Sequence, residues 1–428
     1  METLVTLFGI FLLLMFIGVP IGYSIGIATV VSFWWFTTTP MTIVAHQAVV
    51  QTNSFTLMAI PFFILAGNIM GAGGISKRIV NFARVLIGYV TGGVALVATL
   101  ASVMFGAVSG SAVATTSAIG SFMIPEMEQE GYDKPFGATV CAAAGTMGVV
   151  LPPSIPLVIY GVVVNASIGD LFIAGIIPGA LMGLSLMITC YILCRKKGYT
   201  GKGEKPTLKA VWKAFLGAFW ALLAPFIILG GIYTGFFTPT EASAVAVFYC
   251  FIVGKFIYRE LTWKRLYDCL VQAVSITGAT TFMIGISGSF ALFLAMQHIP
   301  QIMASFMLSI TDNWFLLLII MNIFMLLVGM VVDNIPATII LAPIFLPIAV
   351  SFGMSPITLG IMITLNKAIS FITPPYGITL NMASAVSKVP LEHLFKNALW
   401  FAVALLIPLL LVMYVPQTTM FLVDLMNR

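Results

Sequence analysis

Two short stretches hold residue types from which ion chemistry can be built. The first is Gly145-Thr146-Met147-Gly148-Val149-Val150-Leu151-Pro152-Pro153-Ser154, and the second is Ser370-Phe371-Ile372-Thr373-Pro374-Pro375-Tyr376-Gly377. Proline has no N–H to donate, and the residue before it is steered out of the helical region. Each Pro-Pro pair should therefore interrupt a helix, and in the first stretch the glycines just upstream let the backbone open. The carbonyl oxygens so freed are hard ligands suited to Na+. The N-terminus of the helix that restarts beyond the break suits an anion. One such pair alone reads as a plain proline kink; two at equivalent positions point to function.

The positions are equivalent. Ile124-Pro125, Gly131 and Pro152-Pro153 recur as Leu346-Pro347, Gly353 and Pro374-Pro375, all at one constant offset (347 − 125, 353 − 131, 374 − 152). With one residue of slip, Asp170-Leu171-Phe172 recurs as His393-Leu394-Phe395. Internal duplication of this kind marks secondary transporters. An odd number of crossings per half would invert the second copy. Hydropathy alone leaves that count open; an inverted pair is the expectation.

A second kind of break precedes each Pro-Pro pair. Phe105-Gly106-Ala107-Val108-Ser109-Gly110-Ser111, continuing to Thr115-Thr116-Ser117, is small and rich in hydroxyls. The segment from Ser111 to Pro125 is too short for a full crossing. It reads as one arm of a re-entrant hairpin with Ser109-Gly110-Ser111 at its tip, the competing reading being a small-residue packing face. The counterpart is Gly329-Met330-Val331-Val332-Asp333-Asn334, in which Asp333 falls opposite Ser111. An ionisable residue in such a setting is a functional hypothesis by default. Lys367 follows an uncharged run over 334–366 and is a candidate partner for Asp333, which leaves a static buried pair as the structural alternative. Polar side chains at these breaks, namely Ser111, Thr115, Ser154, Asp333, Asn334 and Tyr376, are the candidates for touching a substrate. In Thr238-Pro239-Thr240-Glu241 the acid is read as structural, with Thr238 or Thr240 capping a helix that Glu241 begins.

The elements that must position these residues are membrane helices. Of 428 residues 60% are hydrophobic and 8% charged, against about 25% charged in a soluble domain. Residues 3–76, 85–125, 135–169, 269–311 and 334–366 contain no Asp, Glu, Lys or Arg. At about 20 apolar residues per span these runs hold roughly ten to thirteen crossings. Leu4–Phe36 lacks the basic leader of a cleavable signal and is longer than a signal core; Pro20 should kink or divide it. Seven of the 19 Lys and Arg lie in 195–213, and Lys255, Arg259, Lys264 and Arg265 form a second cluster. Both loops are expected in the cytoplasm, and the N-terminus, carrying only Glu2, outside. Short basic loops between hydrophobic segments make a poor nucleic-acid patch. The five cysteines and three histidines form no metal-ligand pattern; Cys190 and Cys194 read as buried thiols. No Gly-Lys-Ser/Thr phosphate loop is present.

The expected plan is an all-α polytopic membrane protein. A first repeat half spans 1–194, with a hairpin around 105–127 and a broken helix over 138–165. A basic linker spans 195–213. A second half spans 214–428, with a hairpin around 328–351 and a broken helix over 357–388.

On these residues the chain resembles the large membrane subunit of the tripartite ATP-independent periplasmic (TRAP) transporters. The likeness runs over essentially its whole length. Its further markers are Ala59-Ile60-Pro61-Phe62-Phe63 leading to Ala66-Gly67, Pro152-Pro153-Ser154-Ile155 and Gly235-Phe236-Phe237-Thr238-Pro239-Thr240-Glu241-Ala242. The resemblance implies an elevator-type carrier of the bacterial inner membrane that imports an organic acid, such as a sialic acid or a C4-dicarboxylate. It implies coupling to two or more Na+, a small four-helix membrane subunit as a separate partner, and a periplasmic binding protein that delivers the substrate. Na+ is implied between each hairpin tip and the facing broken helix. That points to Ser109, Ser111, Gly145, Gly148 and Pro152 for one site, and to Gly329, Asp333, Ser370 and Thr373 for the other. An ion or solute channel, or a carrier of the same broken-helix type that needs no binding protein, is the alternative. A membrane enzyme would need a catalytic cluster that this sequence lacks.

Overall fold

The computed structural model of the chain describes residues 2–426 apart from 202–204, 312, 331, 333 and 376. Among the described residues every regular element is helical. Eight helical stretches among the described residues are long and apolar enough to cross a membrane, and five shorter apolar helices accompany them. Pro20 separates Glu2–Phe16 from Ile21–Phe36, and its extended backbone starts the second helix.

The first hairpin consists of Gly93–Ser109 and Ala112–Gln129, joined only by Gly110 and Ser111. Gly110 has φ +63°, a conformation that favours glycine, and the Ser111 hydroxyl accepts the Ala114 N–H as the cap of the second arm. That arm continues through Pro125, so the hairpin is longer at both ends than 105–127. Gly131, at φ +85°, turns the chain into Lys134–Gly145, which continues as Met147–Val150. The helix stops at Leu151 and restarts as Ile155–Val164, capped by Ser154. In the second half the corresponding elements are Trp314–Gly329, Asn334–Ser351, Pro356–Ser370 and Ile378–Ser387. The helix starts at Ala112 and Asn334, and at Lys134 and Pro356, keep the offset of the sequence repeat, and Gly353 turns the chain with φ +79° where Gly131 does.

Packing between the halves is reciprocal. The restarted helix Ile155–Val164 lies on the second hairpin's arm Asn334–Ser351, and the restarted helix Ile378–Ser387 lies on the first hairpin's arm Ala112–Gln129. Each half thus completes the other's wall, and the Tyr160 hydroxyl donates to the Pro356 carbonyl at 2.7 Å across that seam.

Outside this core, Ala59–Ala72 packs against Pro239–Ile252 and against the 34-residue Trp263–Met296. At 1.5 Å per residue the latter is about 51 Å long, well over the ~30 Å of hydrocarbon it has to cross. Thr238 and Glu241 form a reciprocal capping box at the start of Pro239–Ile252, while the Thr240 hydroxyl donates to the Phe55 carbonyl at 3.2 Å. Thr238 is therefore the cap, and Glu241 is structural. The five cysteines are buried thiols.

The basic linker begins tied to the first half. Lys197 Nζ lies 2.7 Å from the Asp133 carboxylate, the Tyr199 hydroxyl accepts the Asp133 N–H at 3.0 Å, and the Tyr132 and Tyr199 rings stack with centroids 4.2 Å apart. The Lys197 contact, helped by Tyr199, holds the Asp133 carboxyl below the usual carboxylate range.

Candidate functional site

Where the first hairpin tip meets the first helix break, backbone approaches backbone. A Cβ on Gly106 would stand 2.9 Å from the Gly148 nitrogen, and one on Gly148 would stand 2.5 Å from the Ser111 carbonyl oxygen and 2.7 Å from Thr115 Oγ1. The Ile155 N–H reaches the Gly110 carbonyl at 3.4 Å, and a Cβ on Gly67 would stand 2.9 Å from the Ser109 carbonyl. Only glycine permits these approaches. Within the tip, Thr115 Oγ1 lies 2.8 Å from Ser109 Oγ and 2.8 Å from the Ser111 carbonyl. The hydroxyl of Thr116 is buried, has no hydrogen-bond partner, and is the first atom that a side chain on Gly145 would meet. A buried donor-acceptor left without a partner is costly and calls for an explanation. Ser109, Ser111 and Gly148 are thus brought together through Thr115, Gly145 lies against Thr116, and Pro152 is in the adjoining break.

In the second half Gly329 faces the broken helix in the same way, but meets Ser370 Oγ and Lys367 Nζ. Lys367 is fully buried, and its ammonium donates to the Met325 carbonyl at 3.3 Å. The Ser370 hydroxyl donates to the Asn366 carbonyl at 3.1 Å, and the Thr373 hydroxyl to the Ile369 carbonyl at 2.7 Å. Asn366 Nδ2 donates to the Asn322 backbone carbonyl at 2.9 Å and to Asn322 Oδ1 at 3.0 Å, locking the broken helix to the hairpin's first arm. Two of the sequence candidates, Asp333 and Tyr376, lie outside the described residues, and with Asp333 lies the expected pairing to Lys367.

Between the hairpins is a cavity of about 440 Å³. The first-turn residues of four helices line it: Ala112 to Ala114, Ile155 and Pro156, Asn334 and Ile335, and Ile378. Each helix start carries roughly half a positive charge. Facing them are Asn68 from Ala59–Ala72 and Gln272 and Thr280 from Trp263–Met296. Among the described residues the lining contains no Lys, Arg, Asp or Glu. Of the candidate substrate contacts, Ser111 and Asn334 line the cavity. Thr115 and Ser154 do not: Thr115 is spent inside the tip, and the Ser154 hydroxyl, itself buried, donates to the Val149 carbonyl while accepting the Leu157 N–H. Residue spacing did not identify Thr116, Asn68, Gln272 or Thr280. The last three come from remote elements and belong to no local motif.

Helical described elements, eight of them apolar and long enough to cross a membrane, with interrupted helices beside a largely apolar cavity, define a multi-pass membrane protein. Residues 8–418 match the family described as "Tripartite ATP-independent periplasmic transporter, DctM component". The chain is 41% identical over 420 residues, 98% of its length, to the "Isethionate TRAP transporter permease protein DctMQ" of Oleidesulfovibrio alaskensis, of which it spans 66%. It is 36% identical over 436 residues to the "C4-dicarboxylate TRAP transporter large permease protein DctM" of Rhodobacter capsulatus, covering 98% of this chain and 99% of that one. Among solved structures it resembles the Alcanivorax borkumensis YdaH transporter, with a TM-score of 0.61, 13% identity and 87% of each chain covered; this likeness concerns the fold alone. The chain belongs to the tripartite ATP-independent periplasmic transporters, as their DctM-type large permease, a multi-pass protein of the inner membrane.

Proposed function

We propose that the chain translocates a small organic anion, a carboxylate or a sulfonate, in symport with Na+. The observation that carries this reading is the convergence of four helix starts on one 440 Å³ cavity whose described lining is uncharged. Fixed dipoles attract an anion without a lysine or arginine clamp that would hold it too tightly to release. The amides of Asn68, Gln272 and Asn334 and the hydroxyls of Ser111 and Thr280 then orient it. Sulfonate and C4-dicarboxylate relatives support the substrate class, and sialic acids remain within it.

Na+ supplies a charge that offsets the anion's. The first hairpin supports it: the neutral oxygens of Ser109, Ser111 and Thr115 cluster at the tip, and on the neighbouring face of the same arm the Thr116 hydroxyl is a buried group that a cation would satisfy. Both hairpins, their broken helices and the helices between them would move as a body against a scaffold containing Ala59–Ala72 and Trp263–Met296, in an elevator motion of two inverted halves. A periplasmic binding protein would deliver the substrate, and a small membrane subunit would brace the scaffold. The basic stretch over 195–213 would face the cytoplasm.

The test is uptake into proteoliposomes containing the large and small subunits, with the binding protein outside. Concentrative uptake is expected with an inward Na+ gradient and no ATP, and none without the binding protein. Accumulation with Na+ equal on both sides and no membrane potential would end the symport reading. Full-rate uptake without the binding protein would favour an independent carrier.

A further inference from the structure

The two helix breaks are not chemically equivalent, and the difference falls at the cation position. At the offset of the repeat, Gly145 becomes Lys367 and Gly148 becomes Ser370. In the first half these positions are bare backbone, and the atoms nearest the place of a Gly145 side chain are those of Thr116, whose buried hydroxyl has no hydrogen-bond partner. In the second half the Lys367 side chain runs through completely buried surroundings. It brings its ammonium to the Met325 carbonyl at 3.3 Å and to within 3.0 Å of the point where a Cβ on Gly329 would stand, beside Ser370 Oγ. Gly329 is the residue through which the hairpin's first arm meets the broken helix, as Gly106 is in the first half. A primary ammonium carries one positive charge and offers N–H donors to the kind of oxygen that ligates Na+. Two monovalent cations a few ångströms apart in a low dielectric repel strongly.

We propose that the Lys367 ammonium is a tethered cation that occupies, in the second half, the place a Na+ takes in the first. The chain then binds a single coupling Na+, between the first hairpin tip and the first helix break, and the second hairpin is held by a charge that never leaves. This inference rests on the Na+-symport reading and narrows it: Gly329, Ser370 and Thr373 do not make a Na+ site here.

The experiment is Na+ binding to the purified complex in lipid nanodiscs, read as radiolabelled Na+ bound per chain and as the Na+-dependent rise in melting temperature. Wild type is expected to bind one Na+ per large subunit, with a non-cooperative titration. Thr116→Val should shift the titration midpoint upward about tenfold or more, because it removes an oxygen from the one site. Lys367→Ala should open the second position and add a second bound Na+, whereas Lys367→Met, which fills the space without charge, should add none. Two Na+ per wild-type chain, or a Lys367→Ala protein that folds and still binds one, would overturn the proposal. If the alanine variant fails to fold, the wild-type count decides alone. Wild type that binds no Na+ at all, with melting unchanged between Na+ and K+, is a distinct outcome: it removes the symport reading itself.

Discussion

The two hairpins share a backbone plan and differ in what their broken helices present to them. In the first, glycines allow close approach: Gly106 faces Gly148, Gly145 faces Thr116, and Gly67 lies behind the tip at Ser109. In the second, side chains fill the equivalent places, with Lys367 and Ser370 against Gly329 and an Asn322–Asn366 clasp beside them. Duplication preserved the helix starts and turns because they depend on a few prolines and glycines. It did not preserve the interior of each cup, which any residue of suitable size can occupy. The first break presents backbone and the Thr116 hydroxyl, the second presents the Lys367 and Ser370 side chains, and each contains a buried polar atom without a hydrogen-bond partner, Thr116 Oγ1 and Asn366 Oδ1.

That contrast is most easily broken at Gly148 and Ser370. Gly148→Ala places a Cβ 2.5 Å from the Ser111 carbonyl, so the tip must move. Overpacking of this kind costs about 1–3 kcal/mol, and Na+-driven uptake should fall about tenfold or more, since about 1.4 kcal/mol is a factor of ten. Ser370→Ala removes only the bond to the Asn366 carbonyl, worth about 1 kcal/mol, and should leave the Na+ dependence of uptake unchanged. A Gly148→Ala transporter with normal Na+ dependence would mean that the first cup is not where the ion sits.

A smaller effect separates Thr116 from Thr338, its counterpart in the second copy of the repeat. Thr116→Val should raise the Na+ concentration for half-maximal uptake about tenfold. It should leave melting in Na+-free buffer unchanged or higher, because it removes a buried hydroxyl that has no partner. The Thr338 hydroxyl donates to Asn334 Oδ1 at 3.2 Å, and Asn334 lines the cavity. Thr338→Val should therefore change KM for the anion by a few-fold, the scale of one hydrogen bond, and not the Na+ titration. Kinetics with each ligand varied in turn would distinguish these; identical behaviour of the two valine variants would erase the asymmetry.

Residue order alone made much of this visible. Proline carries backbone instructions that survive without context, so the breaks at Pro152-Pro153 and Pro374-Pro375 and the division at Pro20 could be located, while Gly131 and Gly353 served only as markers of the repeat. The capping box at Thr238 and Glu241 is equally local. Which of two neighbouring hydroxyls is spent was not visible. Thr115 and Thr116 are about 100° apart around one helix, and only the packing decides that Thr115 folds back on Ser111 while Thr116 faces Gly145. The far wall of the cavity was invisible for a different reason. Asn68, Gln272 and Thr280 sit on long apolar helices whose rotation is fixed by neighbours remote in sequence, so no spacing marks them.

The smallest expected difference lies at the cups' outer ends. Asp133 in the first half corresponds to Ser355 in the second. Ser355 caps its helix neutrally, accepting the Ile357 N–H at 3.2 Å, whereas Asp133 pairs with Lys197 and so ties the first half to the basic linker. Because that contact lowers the folded-state pKa of Asp133, its stabilisation is present above the unfolded value of about 3.9 and is lost as pH falls through the lower folded value. Asp133→Asn should therefore melt slightly below wild type from pH 7 down to about pH 5, and the gap should close only below about pH 4. The pair is solvent-exposed, so the gap should correspond to less than about 1 kcal/mol and shrink in high salt. Ser355→Ala, losing an uncharged cap, should cost about as much but with no dependence on pH or salt. A gap for Asp133→Asn that persisted at pH 3 and in high salt would mean that the Tyr132–Tyr199 stack, not the ion pair, joins the linker to the first half.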